Sequence, residues 1–309
     1  MKKIFLFLLL TLTCAFPLHA AEKNIDDVIT FQGYTNIGVA LHSELIPFLK
    51  EISDDASRET HVKTLSALFH SENEVKLKTN AAQSKKVQAH LALAHFYTLR
   101  SYYMSLAPVF AQMQLLEANE MLNRYSLEAE MQKANNHLKQ VLKLSPKASA
   151  LAYQDLALLD YLKADFMSAK EHILEGREYF KGSEDLYLLE AEIKLAELFH
   201  RSQKRDLQFN RSIIIILSPL QKKNIMPDGL ALTYAKAHYN TKGYRGTLGV
   251  LEGISPKTEK QFDLHVAFGL TYFHLNEKEK SKKHFELALK HAPNADQKTK
   301  VEKVLREFF

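Results

Sequence analysis

FDLHVAFGLTYFHLNEKEKSKKHFELALKHAP, residues Phe262 to Pro293, holds two segments of helical pattern on either side of a polar turn, Asn276-Glu277-Lys278-Glu279. The first segment carries Phe268, Gly269 and Tyr272, and the second carries Ser281, Phe285 and Ala288. Read as helices, the two fit together: Gly269 and Ser281 let the backbones approach, while Tyr272 and Phe285 fill the wider levels of the same interface. Pro293 closes the second helix, because proline brings no amide donor. The stretch is therefore a helical hairpin.

The hairpin has neighbours. Pro146, Gly182, Pro219, Pro256 and Pro293 follow one another at intervals of 36, 37, 37 and 37 residues. Regular helix terminators imply units that bury their apolar faces on one another. The last unit resembles the tetratricopeptide repeat family through Gly269, Tyr272, Phe285, Ala288 and Pro293, with Ser281 at a position where the family has alanine. The resemblance implies an all-α fold, a right-handed superhelical stack of antiparallel hairpins (an α-solenoid).

Other units match less completely. Ala157, Phe166, Ala169 and Ile173 fall between Ala150 and Gly182; Ala235 and Leu251 flank the turn Lys242-Gly243-Tyr244; Ala134, Leu138 and Val141 mark a second helix before Pro146. The unit closing at Pro219 offers Leu195, Leu198 and the run Ile213-Ile214-Ile215-Ile216-Leu217. Its β-branched content suits a strand, whereas its position predicts a buried second helix. Residues 111–293 form the expected array, and 294–309 a capping helix with Val301, Val304, Leu305 and Phe308 on one side. Within 21–110, the expectation is helices over 35–50 and 57–70 and a long helical pattern over 80–107, with Pro108 marking another degenerate repeat.

In the tetratricopeptide family the first helices of successive hairpins line a concave face. The resemblance puts Tyr161, Phe199, Tyr239 and Phe273 on a shared inner stripe, surrounded by Gln154, Leu158, Lys236, Asn240, Val266 and Leu270, with His200 and His274 alongside. Exposed rings bury much area at little entropic cost, and amides and lysine orient a peptide's polar groups. The alternative is that these rings fill contacts between repeats. Self-association through Tyr179 and Phe180, or Phe308 and Phe309, is a second use of such surfaces.

The first twenty residues read as an export signal. Lys2 and Lys3 precede an apolar run from Ile4 to Pro17, and Leu18-His19-Ala20 precedes Ala21-Glu22, which predicts cleavage after Ala20. A retained anchor is the alternative, though the run is short for a membrane span. The single cysteine, Cys14, follows Leu12-Thr13, a poor version of a lipid-attachment pattern, so membrane association is expected through a partner or, second, through lipidated Cys14. Removal of the signal leaves 289 residues without cysteine, excluding disulfides and thiolate chemistry, and a net charge of +3 with interspersed signs. That pattern argues against nucleic acid. The expected location is the periplasm, with full secretion as the alternative, and the expected partner is an envelope or secretion-related protein.

Catalytic patterns are missing. The sequence has no H-E-x-x-H pair, glycine-rich phosphate loop or G-x-S-x-G turn, so neither a metal nor another cofactor is expected. His265 and His274 are nine residues apart on one expected helix, and His284 and His291 seven apart on the next. Glu190 with Glu192, or Asp155 with Asp160, would be the carboxylates of a helical cell-wall hydrolase. Such an enzyme, or a structural homo-oligomer, is the alternative to a protein-binding scaffold.

Overall fold

The computed structural model describes residues 24–31, 71–84, 87–105, 125–202, 204–255 and 261–309. The expected signal, Cys14 and the expected helices over 35–50 and 57–70 lie outside them. Among the described residues there are twelve α-helices and one short 3-10 turn, Ile25–Asp27, and no strand. The helices are α1 Ser71–Ser84, α2 Val87–Ser105, α3 Leu127–Leu144, α4 Ala150–Leu162, α5 Phe166–Tyr179 and α6 Glu184–Arg201. They continue as α7 Leu207–Lys223, α8 Asp228–Asn240, α9 Tyr244–Leu251, α10 Gln261–His274, α11 Lys278–Lys290 and α12 Ala295–Phe308.

The pairs α2/α3, α4/α5, α6/α7, α8/α9 and α10/α11 form antiparallel hairpins that stack in chain order, a helical-repeat architecture of the α-solenoid kind. First helices also touch first helices: α2 meets α4, α4 meets α6, and α8 meets α10. Helices α2, α4 and α6 therefore line one side of their part of the stack, and α8 and α10 one side of theirs.

Three turns are built alike. Ala164, Lys242 and Asn276 adopt left-handed φ values of 60°, 60° and 61° between α4 and α5, α8 and α9, and α10 and α11. In each, the left-handed residue's N–H donates to the carbonyl three residues back, and the next N–H to the carbonyl five residues back. These bonds satisfy the last carbonyls of the first helix and turn the chain into the second. Asn276 suits this geometry best, since asparagine tolerates it at low cost.

The interface within each hairpin is also repeated. Ala157 and Ala169, Ala235 and Thr247, and Gly269 and Ser281 are buried small residues at the same twelve-residue separation. The Ser281 hydroxyl donates to the Gly269 carbonyl at 2.7 Å, and the Thr247 hydroxyl to that of Ala235 at 3.5 Å. A Cβ on Gly269 would lie 2.9 Å from the Phe285 ring, so only glycine admits that ring at this depth. Gly269, Ser281, Phe285 and Ala288 are buried as the sequence reading expects, but Phe285 packs at the level of Gly269 and Tyr272 stacks on Phe268 and His284.

Pro219 differs from expectation. It lies inside α7 and does not close it; the helix continues to Lys223 and ends at Asn224, with φ 56°. Proline removes the N–H that would bond the carbonyl of Ile215, but the Ser218 hydroxyl reaches that carbonyl at 3.4 Å, and Ile215 is exposed. The missing bond is thus partly replaced on a solvent-facing side. The run Ile213–Leu217 is helical, with Ile213 and Leu217 buried. Pro146 and Gly182 do follow helix ends and Pro293 separates α11 from α12, whereas Pro108 and Pro256 lie outside the described residues. The long pattern over 80–107 divides between α1 and α2.

Helix α12 packs on α11 at the end of the described chain. Val301 and Val304 are fully buried, and Leu305, Phe308 and Phe309 pack partly buried on the same core. At the other end, the guanidinium of fully buried Arg100 on α2 bonds Glu74 of α1 at 2.8 Å and Glu130 of α3 at 3.0 Å. This pair of ion contacts ties three helices around one cation.

Candidate peptide-holding face

The 3-10 turn starts an eight-residue segment, Asn24-Ile25-Asp26-Asp27-Val28-Ile29-Thr30-Phe31, that lies against the first helices of the last two hairpins. The Asn24 side chain caps the turn by accepting from the Asp26 N–H at 3.2 Å. Ile25 and Phe31 are fully buried and Ile29 nearly so, all in the core shared with α6 to α12. The chain's own amino-terminal segment has therefore become part of the repeat core.

Asp26 is the polar centre of this contact. Its Oδ1 accepts from the Tyr239 hydroxyl on α8, and its Oδ2 lies 3.1 Å from Nε2 of His274 on α10. Lys236, one turn before Tyr239, donates to the Thr30 hydroxyl oxygen and holds its ammonium 4.5 Å above the Phe31 ring. The Phe31 ring meets Tyr239 edge-on at 5.5 Å. Tyr244 stacks flat on the His274 imidazole at 4.6 Å, fixing the plane of the ring that faces Asp26.

Burial changes the acid–base character of these groups. It pushes the Tyr239 hydroxyl far up, with the Asp26 hydrogen bond and charge adding to the effect. The hydroxyl is thus held as a donor. Burial pulls Lys236 down, against the opposing pull of Asp26. Burial likewise raises Tyr244, again with Asp26 contributing.

Of the residues expected on the inner stripe, Lys236, Tyr239 and His274 meet in this contact. Phe273, beside them on α10, packs edge-on against Phe308 at 5.7 Å and Phe309 at 6.0 Å. Those terminal rings are thereby engaged within the chain. Tyr161 meets Phe166 at 6.1 Å, and Phe199 meets Phe209 at 5.0 Å with the Arg205 guanidinium 4.2 Å above it. Tyr161, Tyr239 and Phe273 do occupy one register position, three residues before the left-handed turn residue. Val266 and Leu270 are fully buried and Leu158 is nearly so; their side chains belong to the core and present no surface. Gln154 is half-buried, and exposed Asn240 donates to the Asn210 side chain at 2.9 Å, linking α8 to α7. Exposed His200 lies 5.6 Å from the Phe166 ring.

The repeat pattern does not contain Asp26, Thr30 or Phe31. Their only sequence signal is the apolar series Ile25, Val28, Ile29, Phe31, which is too short to specify what it packs against.

The carboxylates considered for hydrolysis are held in contacts of their own. Asp155 is buried and receives His95 Nδ1 at 3.1 Å from both oxygens. Burial raises the Asp155 carboxyl, and His95 opposes that rise. Asp160 is bonded by Lys163 and His172, and Glu190 by Arg177 and Lys194, while Glu192 is buried. His265 and His284 face each other through Nδ1 atoms 3.3 Å apart, with the His291 ring 5.7 Å from that of His265. Among the described residues, no group of three or more histidines, cysteines or carboxylates is arranged to hold a metal ion, and no helix is long and apolar enough to cross a membrane.

No family model and no curated protein matches this chain. One solved structure, described as a tetratricopeptide repeat protein from Parabacteroides merdae, is similar over 83% of this chain and 97% of its own, at 16% identity and a TM-score of 0.29. The repeat architecture stands on the hairpins themselves.

Proposed function

We propose that this protein is a periplasmic scaffold that recognises a segment of an envelope or secretion-related protein on the face formed by its first helices. One observation carries the reading: Lys236, Tyr239 and His274, from two successive first helices, together hold a short non-repeat segment of chain through its carboxylate, hydroxyl and aromatic side chains. A face with that chemistry is suited to capturing peptide. Helical hairpins that stack side by side supply such faces without a catalytic group or cofactor. Placement in the periplasm rests on the export pattern of residues 1–20, with the short apolar run and the alanine before the expected cleavage point.

The test is gentle crosslinking in the native envelope followed by mass spectrometry, with a Lys236→Ala/His274→Ala variant run in parallel. The expected result is a reproducible partner captured by the wild type and lost from a variant that keeps its helical signal and melting temperature. Partners that persist unchanged in the variant would overturn the assignment of this face. Self-crosslinks alone would favour a structural homo-oligomer.

A further inference from the structure

Residues 24–31 show which chemistry this face accepts. The pattern is an apolar residue immediately before a carboxylate, an apolar residue three positions after it and an aromatic two beyond that: Ile25-Asp26-x-x-Ile29-x-Phe31. Every element has a counterpart. The carboxylate meets a hydroxyl donor and an imidazole, the two isoleucines enter the shared core, and the aromatic meets Tyr239 and the Lys236 ammonium.

We infer that residues 24–31 are a self-supplied, displaceable occupant of this face, and that the outside ligand replacing them is a segment of a partner protein that begins in a similar turn and carries the same apolar–carboxylate–x–x–apolar–x–aromatic pattern. This rests on the proposed scaffold function and specifies its ligand. The contact combines side-chain hydrogen bonds and ring packing with three buried apolar anchors, and the segment adds no helix to the hairpins of the stack.

The experiment uses the synthetic peptide Asn24–Phe31 as probe, with the chain from Ala21 onward as receptor. In an Asp26→Ala/Phe31→Ala variant, whose own segment has lost its anchors, the labelled peptide is expected to bind at least tenfold more tightly than in the wild type. Replacing the peptide's first aspartate or its phenylalanine by alanine should weaken that binding about tenfold. Hydrogen exchange on the unsubstituted chain gives a second readout that does not depend on the variant folding. Saturating peptide should speed exchange of the amides of residues 25–31 while leaving α8 protected.

Unchanged protection of residues 25–31 at saturating peptide, or equal binding by variant and wild type, would overturn the inference. A dimer in light scattering that becomes monomeric in the variant would also overturn it, by assigning the segment to a second copy. These measurements use purified protein, so their failure is distinct from loss of the envelope partner. A face that captures a partner but not this peptide would retain the scaffold and lose the proposed ligand pattern.

Discussion

Tyr239 donates its hydroxyl to Asp26 across 213 positions of sequence, joining the start of the described chain to the eighth helix of a repeat stack. Because the Tyr239 side chain is largely buried, its donor has no ready substitute when Asp26 is removed.

Tyr239→Phe should therefore destabilise the fold by about 1–2 kcal/mol, and Asp26→Asn by a similar amount. A double-mutant cycle followed by urea unfolding should give a coupling energy of about 0.5–3 kcal/mol. Strict additivity of the two substitutions would show that the hydrogen bond contributes nothing to stability.

Gly269→Ala tests the close approach of α10 and α11. The added methyl would sit 2.9 Å from the Phe285 ring, and overpacking of this kind costs about 1–3 kcal/mol. A second substitution, Phe285→Leu, shortens the opposing side chain, so the double variant should lose less than the sum of the singles. Thermal unfolding of all four proteins checks this.

Arg100→Met should be among the most damaging single changes. It leaves Glu74 and Glu130 without the guanidinium between them, and breaking a buried ion contact from one side costs about 3–5 kcal/mol. The same site predicts an acid limb. Burial alone would raise Glu74, but hydrogen bonds from Lys78, Arg100 and Tyr97 and the Arg100 charge hold it at about 2, below its ordinary 4.5. A depressed carboxyl contributes stability that is complete above pH 4.5 and is lost as pH falls towards 2. Denaturant midpoints across that range should fall less steeply in Glu74→Gln than in the wild type.

The pair His265 and His284 predicts a second, higher window. Burial lowers His284 to about 4, with the neighbouring His265 and Lys283 contributing, and its ring stacks on Phe268 at 4.6 Å. His265 is also lowered by burial, with His291 adding to the effect. The unfolded chain therefore binds more protons than the folded one between the ordinary histidine value of 6.5 and about 4, so stability falls as pH drops through that window. His284→Phe keeps the stacking on Phe268 and should flatten the dependence. An unchanged slope in this variant would assign the proton uptake to another site.

The hairpin at 262–293 was legible down to single contacts because helix packing is local and periodic. A glycine facing an aromatic and a small polar residue twelve positions on specify which faces meet. Pro219 was misread because a terminator can be counted from sequence, but its rescue depends on Ser218 reaching the Ile215 carbonyl and on that side facing solvent. The inner stripe was legible as a register, since Tyr161, Tyr239 and Phe273 do precede equivalent turns. Its openness was not: Val266 and Leu270 share α10 with His274 yet point into the core.

The sequence by itself determined the helices, the hairpin pairing of α10 with α11 and the final helix, since each depends on residues close together in the chain and on a 3.6-residue period. Only the tertiary structure decided what lies on the first-helix face. The contact of Asp26 with Tyr239 and His274 joins residues 213 and 248 positions apart, and no periodicity relates them. Packing of one short apolar segment depends on which complementary surface the folded stack leaves within its reach, and that surface exists only after the hairpins have assembled.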